Sequence, residues 1–359
     1  MDRREAIREY VLQGDFPEKG LSQAIARQFG ISRQAAHGHL SRLVRDGVLS
    51  AAGKTRNRTY HLPILTLAEF LVPIGEDWPE DRVWRERIAP VLINLPENVT
   101  NIWHYGFTEM FNNAIDHSGG SEIFVGVAKQ GRRTNIIVHD NGEGIFRKIK
   151  RELGLPDEHS SILELAKGKL TTDPKRHSGQ GIFFTSRAVD FFGISSGDLF
   201  FSHEGGRPKD YLTDSLPTER GTDVWLQLHD RSDRLLRSVF DKYAAAEDDL
   251  EFSRTVVQLE LARHEGEELI SRSQAKRVVT RFEEFKEVVL DFDGIKTIGQ
   301  AFADEVFRVF ALDHPGTSLL PIRMNEDVTR MVARAQIAAR LASPDLESSR
   351  NGRQEQLDL

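Results

Sequence analysis

The chain has 359 residues, 39% of them hydrophobic and 29% charged, with a formal net charge of −7 and no cysteine. That length suggests two or three domains of globular composition, and the missing cysteines exclude disulfides, thiolate catalysis and cysteine-based zinc sites. No run of about 18 apolar residues is present, and the charged start MDRREAIREY lacks the apolar core of a signal peptide, so a cytoplasmic location without a membrane partner is expected.

The first predicted elements form a basic head. Residues 1–62 hold 11 Lys/Arg against 6 Asp/Glu, a surplus of five, which leaves −12 for the remainder. LSQAIARQFG places Leu21, Ala24, Ile25 and Phe29 on one helical face and stops at Gly30. ISRQAAHGHLSRLVRDGVL restarts with Ser32 as N-cap and Ala35, Ala36, Leu40, Leu43 and Val44 as the buried stripe. Two short strands follow around a tip of Gly53, Lys54, Thr55, Arg56, Asn57 and Arg58. Residues 1–62 resemble a winged helix-turn-helix. The resemblance implies a second helix in the major groove, with Ser32, Arg33, Gln34, His37 and His39 toward DNA and Lys54, Arg56 and Arg58 on phosphates. Winged helices also act as protein-interaction modules, and the basic surplus favours DNA.

Residues 63–84 read as a connector with some helix. Beyond them, FTEMFNNAIDHSGG carries Glu109, Asn112, Asn113, Asp116 and His117 in one short helical run. A plain solvated face would explain that run by itself. SEIFVGVAKQGRRTNIIVHDNGEGI then reads as two strands joined at Gly131, and Asp140, Gly142 and Gly144 follow in D-x-G-x-G spacing. Gly179, Gln180 and Gly181 precede an apolar helix, and Gly221-Thr222 heads another strand. Each piece alone is common, since D-x-G-x-G occurs in many turns. In this order and spacing they resemble the GHKL ATP-binding family (gyrase, Hsp90, histidine kinases, MutL) over residues 85–232.

That resemblance implies an α/β sandwich binding ATP with Mg2+. Asn113 would be the side-chain carbonyl on magnesium, and Glu109, one turn away, the base for a water attacking the γ-phosphate. Asp140 would accept the adenine amino hydrogen and Thr222 would bond near it, while Gly142 and Gly144 let the backbone pass. Backbone N–H groups of Gly179, Gln180 and Gly181 at a helix start would meet phosphate oxygens. The polar stretch Phe146 to His177 would be the ATP lid, with Lys175, Arg176, His177 and Ser178 as phosphate contacts.

From about residue 249 strands and helices alternate, which predicts an α/β layer over 249–341. VVLDFDGIKTIGQAFADEVF resembles STAS domains, but Gly299, Gln300 and Ala301 stand where STAS antagonists carry a phosphorylatable serine. An interaction or dimerisation module is therefore expected, not a phosphorylation switch. Residues 342–359 are too polar to pack and are expected to be disordered. The fold class expected is α/β multidomain: winged helix-turn-helix, GHKL sandwich, STAS-like domain. The function expected is an ATP-binding, DNA-binding regulator. The alternative is an anti-sigma-type GHKL serine/threonine kinase. A sensor histidine kinase fits poorly, because residues 63–103 hold no histidine to accept phosphate.

Overall fold

The computed structural model describes residues 2–17, 19–54, 57–75, 78–171, 179–207, 209–214, 220–244, 251–263 and 267–342. It divides into two compact units. The first comprises Met1–Gly142, Ala188–Ile194 and Gly221–Leu235, and the second Glu143–Arg187, Ser195–Arg220 and Leu236–Leu359.

The first unit opens with α1 (Arg3–Leu12), α2 (Leu21–Phe29) and α3 (Arg33–Arg45), then the antiparallel pair β1 (Ser50–Ala52) and β2 (Thr59–His61). This is the element order that the apolar spacing predicts. The Ser32 hydroxyl accepts the Ala35 N–H at 3.1 Å and so caps α3, supplying a partner that a helix start otherwise lacks. Ile7, Val11, Leu21, Ile25, Ala36, Leu40, Leu43 and Tyr60 share one buried cluster.

The next segment departs from expectation. Residues 63–84 contain β3 (Ile64–Pro73), a ten-residue strand antiparallel to β4 (Glu122–Gln130), before the short α4 (Glu80–Val83) and a π-helical turn (Trp84–Ile88). The near-continuous apolar run ILTLAEFLVP fits helix and strand templates alike, and pairing with β4 settles it. α5 (Glu97–His117) packs against β5 (Arg133–Asp140) and β9 (Thr222–His229) through its buried stripe Val99, Ile102, Trp103, Phe107, Met110, Phe111 and Ala114. Strands in this unit are ordered β3-β4-β5-β9-β6, with β3, β4, β5 and β9 antiparallel; β6 spans Phe191–Ser196. Burial alternates along β5 and β9, so one face of each enters the core.

The second unit begins with α6 (Ile145–Leu153) and α7 (Glu158–Lys167), followed by α8 (Gly181–Ala188), the antiparallel hairpin β7 (Leu199–Glu204) and β8 (Asp210–Asp214), and α9 (Leu236–Asp241). The expectation of a polar lid from Phe146 onward is corrected for its first part. Every residue from Ser160 to Lys167 is buried, together with Phe146 and Ile149. The polar side chains there are satisfied internally: Ser161 donates to the Phe146 carbonyl at 2.8 Å, and Lys167 is paired with Glu164. Lys175, Arg176, His177 and Ser178 lie outside the described residues.

A three-stranded parallel sheet closes the second unit. Its order is β10 (Arg254–Gln258), β11 (Glu287–Asp291), β12 (Ser318–Ile322). α10 (Arg272–Val279) connects β10 to β11 and starts with a capping box between Ser271 and Gln274. α11 (Gln300–Asp304) continues through a π-helical turn (Glu305–Phe310) into α12 (Ala311–Asp313), and α13 (Glu326–Ala342) follows β12. Of residues 342–359, expected to be disordered, Ala342 is the last residue of α13, and 343–359 lie outside the described residues.

One charged cluster is wholly inside this unit. Lys167 is fully buried, and its Nζ donates to Glu164 Oε1 at 2.6 Å and to the carbonyls of Thr280 and Arg277 at 2.9 and 3.4 Å. Arg281 donates to Glu164 Oε2 at 3.3 Å and to the Gly168 carbonyl at 2.9 Å. Burial pulls the Lys167 pKa below the usual lysine range, and the Glu164 carboxylate opposes that shift. No helix among the described residues is long and apolar enough to cross a membrane.

Candidate functional site

α5 turns a polar stripe away from its buried one. Glu109 and Asn113, four residues apart, project from the same side and are half-buried, as are Asn112 and His117; Asp116 is exposed. Tyr105 sits one turn before Glu109. Burial, and then the negative charge of Glu109, push its phenol above the ordinary tyrosine range, which keeps it a hydrogen-bond donor.

Asp140 ends β5 opposite Thr222, the first residue of β9. Its side chain is buried, and Oδ1 accepts the Gly142 N–H at 2.9 Å. Burial raises the carboxyl pKa, and bonds from Gly142 and Thr222 and the charge of His139 offset that only in part. Gly221, at φ +87°, allows the close approach of the two strands: a Cβ there would lie 1.7 Å from the Asp140 carbonyl oxygen. The structure therefore brings Asp140, Gly142 and Thr222 together.

Two neighbouring sets of contacts escaped the sequence reading. Asn141 Oδ1 accepts the backbone N–H groups of Ser121 and Glu122 at 2.8 and 3.2 Å, and Nδ2 donates to Ser121 Oγ at 3.0 Å. These bonds pin the loop after Asp140 to the start of β4. His139 Nδ1 and Asp223 Oδ1 lie 2.9 Å apart as cross-strand partners, and that bond raises the histidine pKa. An Asn directly after a strand is a turn signal that could have exposed the first. The second needs the β5–β9 register, which no local pattern contains.

The remaining nucleotide candidates belong to the second unit. Gly144 is buried at the N-cap of α6, Gly179 and Gln180 precede α8, and Gly181 is its first residue. In the head, Arg33, Gln34, His37 and Lys54 are exposed, and Arg33 donates to Gln23 at 3.2 Å. The Ser32 hydroxyl is used by its cap, and His39 is half-buried. Arg58 is half-buried, with its guanidinium 5.5 Å from the Tyr60 ring centre; Arg56 lies outside the described residues.

The parallel β10-β11-β12 layer with its flanking helices invites comparison with known families. Residues 274–329 match the STAS-like domain of unknown function (DUF4325). The match covers under one sixth of the chain and runs from α10 into α13. Comparison with curated proteins gives no match. Within the STAS-like domain, Gly299 caps α11, Gln300 and Ala301 are its first residues, and Thr297 is half-buried on the loop before it.

Proposed function

We propose that the chain is an ATP-binding regulator that contacts DNA through its basic head and a protein partner, or a second copy, through the STAS-like domain. One observation carries the nucleotide reading. Asp140 is a buried carboxylate at the end of β5, with the Gly142 N–H on Oδ1 and Thr222 opposite it on β9, a placement that suits a carboxylate accepting from an amino group such as that of adenine. Thr222 beside it would bond the same ring edge. Gly142 and Gly144 would let the backbone pass the base, and Gly179, Gln180 and Gly181 are assigned to the phosphates by the family resemblance alone.

Magnesium fits this reading in a restricted way. No cluster of three or more His, Asp or Glu among the described residues could hold a metal. A magnesium ion would therefore draw its shell from nucleotide phosphates and water, with Asn113 as a side-chain ligand. Bound with ATP, it would neutralise phosphate charge, and Glu109 would hold the proton leaving an attacking water. Glu109→Ala is expected to keep binding of a fluorescent ATP analogue and to lose phosphate release. Turnover at the parent rate would remove Glu109 from this role. The same incubation with labelled ATP distinguishes hydrolysis from transfer to protein, the alternative reading, which the missing serine at Gly299, Gln300 and Ala301 disfavours.

The DNA reading rests on the surplus of basic residues and on the exposure of Arg33, Gln34 and His37 along α3. Replacing Lys54, Arg56 and Arg58 by alanine is expected to weaken binding to all duplexes alike and to flatten its salt dependence, since each lost phosphate contact releases fewer counterions. Changing Arg33 or Gln34 is expected to alter which sequences are preferred. Parent-like binding by the triple variant at moderate salt would mark the head as a protein-interaction module.

A further inference from the structure

We propose that Glu9 is a positioning residue that couples the head to the nucleotide site. This rests on the regulator reading above. Glu9 lies on α1, outside the surface assigned to DNA. Its carboxylate accepts from Arg132 through both Nε, at 3.2 Å, and Nη2, and also pairs with Arg231 Nη1 at 3.0 Å. The Glu9 side chain is only 13% exposed, and the bond to Arg132 holds its carboxyl below the usual carboxylate range. A carboxylate gripped by two guanidiniums, one of them by two nitrogens, is a directional contact.

The backbone closes the same joint. The Arg132 N–H donates to the Leu12 carbonyl at 2.8 Å, and Gln130 Nε2 donates to the Leu62 carbonyl at 3.1 Å. Asp15 pairs with Arg133. Gly131 fills the gap at φ +64°, and a Cβ there would lie 2.2 Å from the Leu12 carbonyl oxygen. The head is thus seated on the turn between β4 and β5 near both of its own ends, at Leu12 and at Leu62.

That turn is the far end of the strand that carries Asp140. β5 begins at Arg133, paired with His229 of β9, and ends at Asp140, paired with Thr222. Arg231, the second partner of Glu9, lies two residues beyond His229. At about 3.4 Å per residue the two adjacent strands run roughly 24 Å from the adenine-selecting pair to the Glu9 joint. A hydrogen-bonded ladder clamped to the head at one end can pass on a small shift made at the other. A flexible tether cannot. The joint uses α1 and leaves Arg33, Gln34 and His37 of α3 exposed, so DNA and the joint do not compete for surface.

The test uses the full chain, a labelled mixed-sequence duplex at low salt, and magnesium with a non-hydrolysable ATP analogue. In the parent protein the analogue is expected to change DNA affinity by about fivefold or more, the lower end of allosteric factors. Glu9→Ala and Arg132→Ala should each abolish that response while still binding DNA, and the double variant should lose no more than either alone. Hydrogen exchange at the Arg132 amide should rise in Glu9→Ala. A nucleotide response that survives in Glu9→Ala, or unchanged exchange at Arg132, overturns the joint and leaves the regulator standing. Absence of any response in the parent overturns the regulator reading itself.

Discussion

Asp140→Asn is expected to weaken binding of an ATP analogue by roughly 10- to 150-fold, the equivalent of losing about 1.5–3 kcal/mol from one hydrogen bond to a charged group. The side chains have the same shape, and the asparagine carbonyl can keep the Gly142 N–H at its oxygen. What changes is the second oxygen, which becomes an amide donor facing the donor of the adenine ring. Loss of affinity with an unchanged circular-dichroism spectrum is the predicted result, measured by titration with a fluorescent analogue. Parent-like affinity would show that Asp140 is a turn residue whose burial serves the loop alone.

The largest effect on stability is expected from Lys167→Ala. It leaves Glu164 inside the protein after removing the ammonium that bonds it at 2.6 Å, and it strips the Thr280 and Arg277 carbonyls of a donor. Breaking a buried pair on one side costs roughly 3–5 kcal/mol. Replacing both charges, in Glu164→Gln with Lys167→Met, should recover a large part of that loss, because neither group then remains ionised without a partner. Urea midpoints of the two variants decide the point. A cost near that of ordinary surface changes, roughly 0.5 kcal/mol, would mean that Arg281 alone satisfies Glu164.

Much of this fold is readable locally. Ser32 caps α3 where the N-cap pattern places it, Gly131 lies between β4 and β5, and the strand–helix alternation after residue 249 becomes the parallel sheet. Such features depend on the spacing of a few adjacent residues. Two others depend on partners far along the chain. The strand character of Ile64–Pro73 comes from pairing with Glu122–Gln130, and the burial of α7 requires Thr280 and Arg281 to meet Lys167 and Glu164. The same holds for the candidate site. Asp140, Gly142 and Thr222 were legible as motifs, but Asn141, His139 with Asp223, and Glu9 with Arg132 and Arg231 are defined by register and docking.

The chain path through the first unit has a practical consequence. That unit is assembled from three separate stretches, the last of which supplies β9, the neighbour of β5. During synthesis, residues 133–140 are made some eighty positions before the strand that pairs with them, so the β5 edge stays open until residues 222–229 emerge. Loop closure over that span is slow compared with forming the β4–β5 hairpin, whose partners are adjacent in sequence. A fragment cut after residue 142 would keep the head and the hairpin but expose an apolar edge rich in Ile and Val, a template for pairing with other chains. Dissection of this protein is therefore better served by point substitution in the full chain than by an N-terminal fragment that leaves the β5 edge without its partner strand.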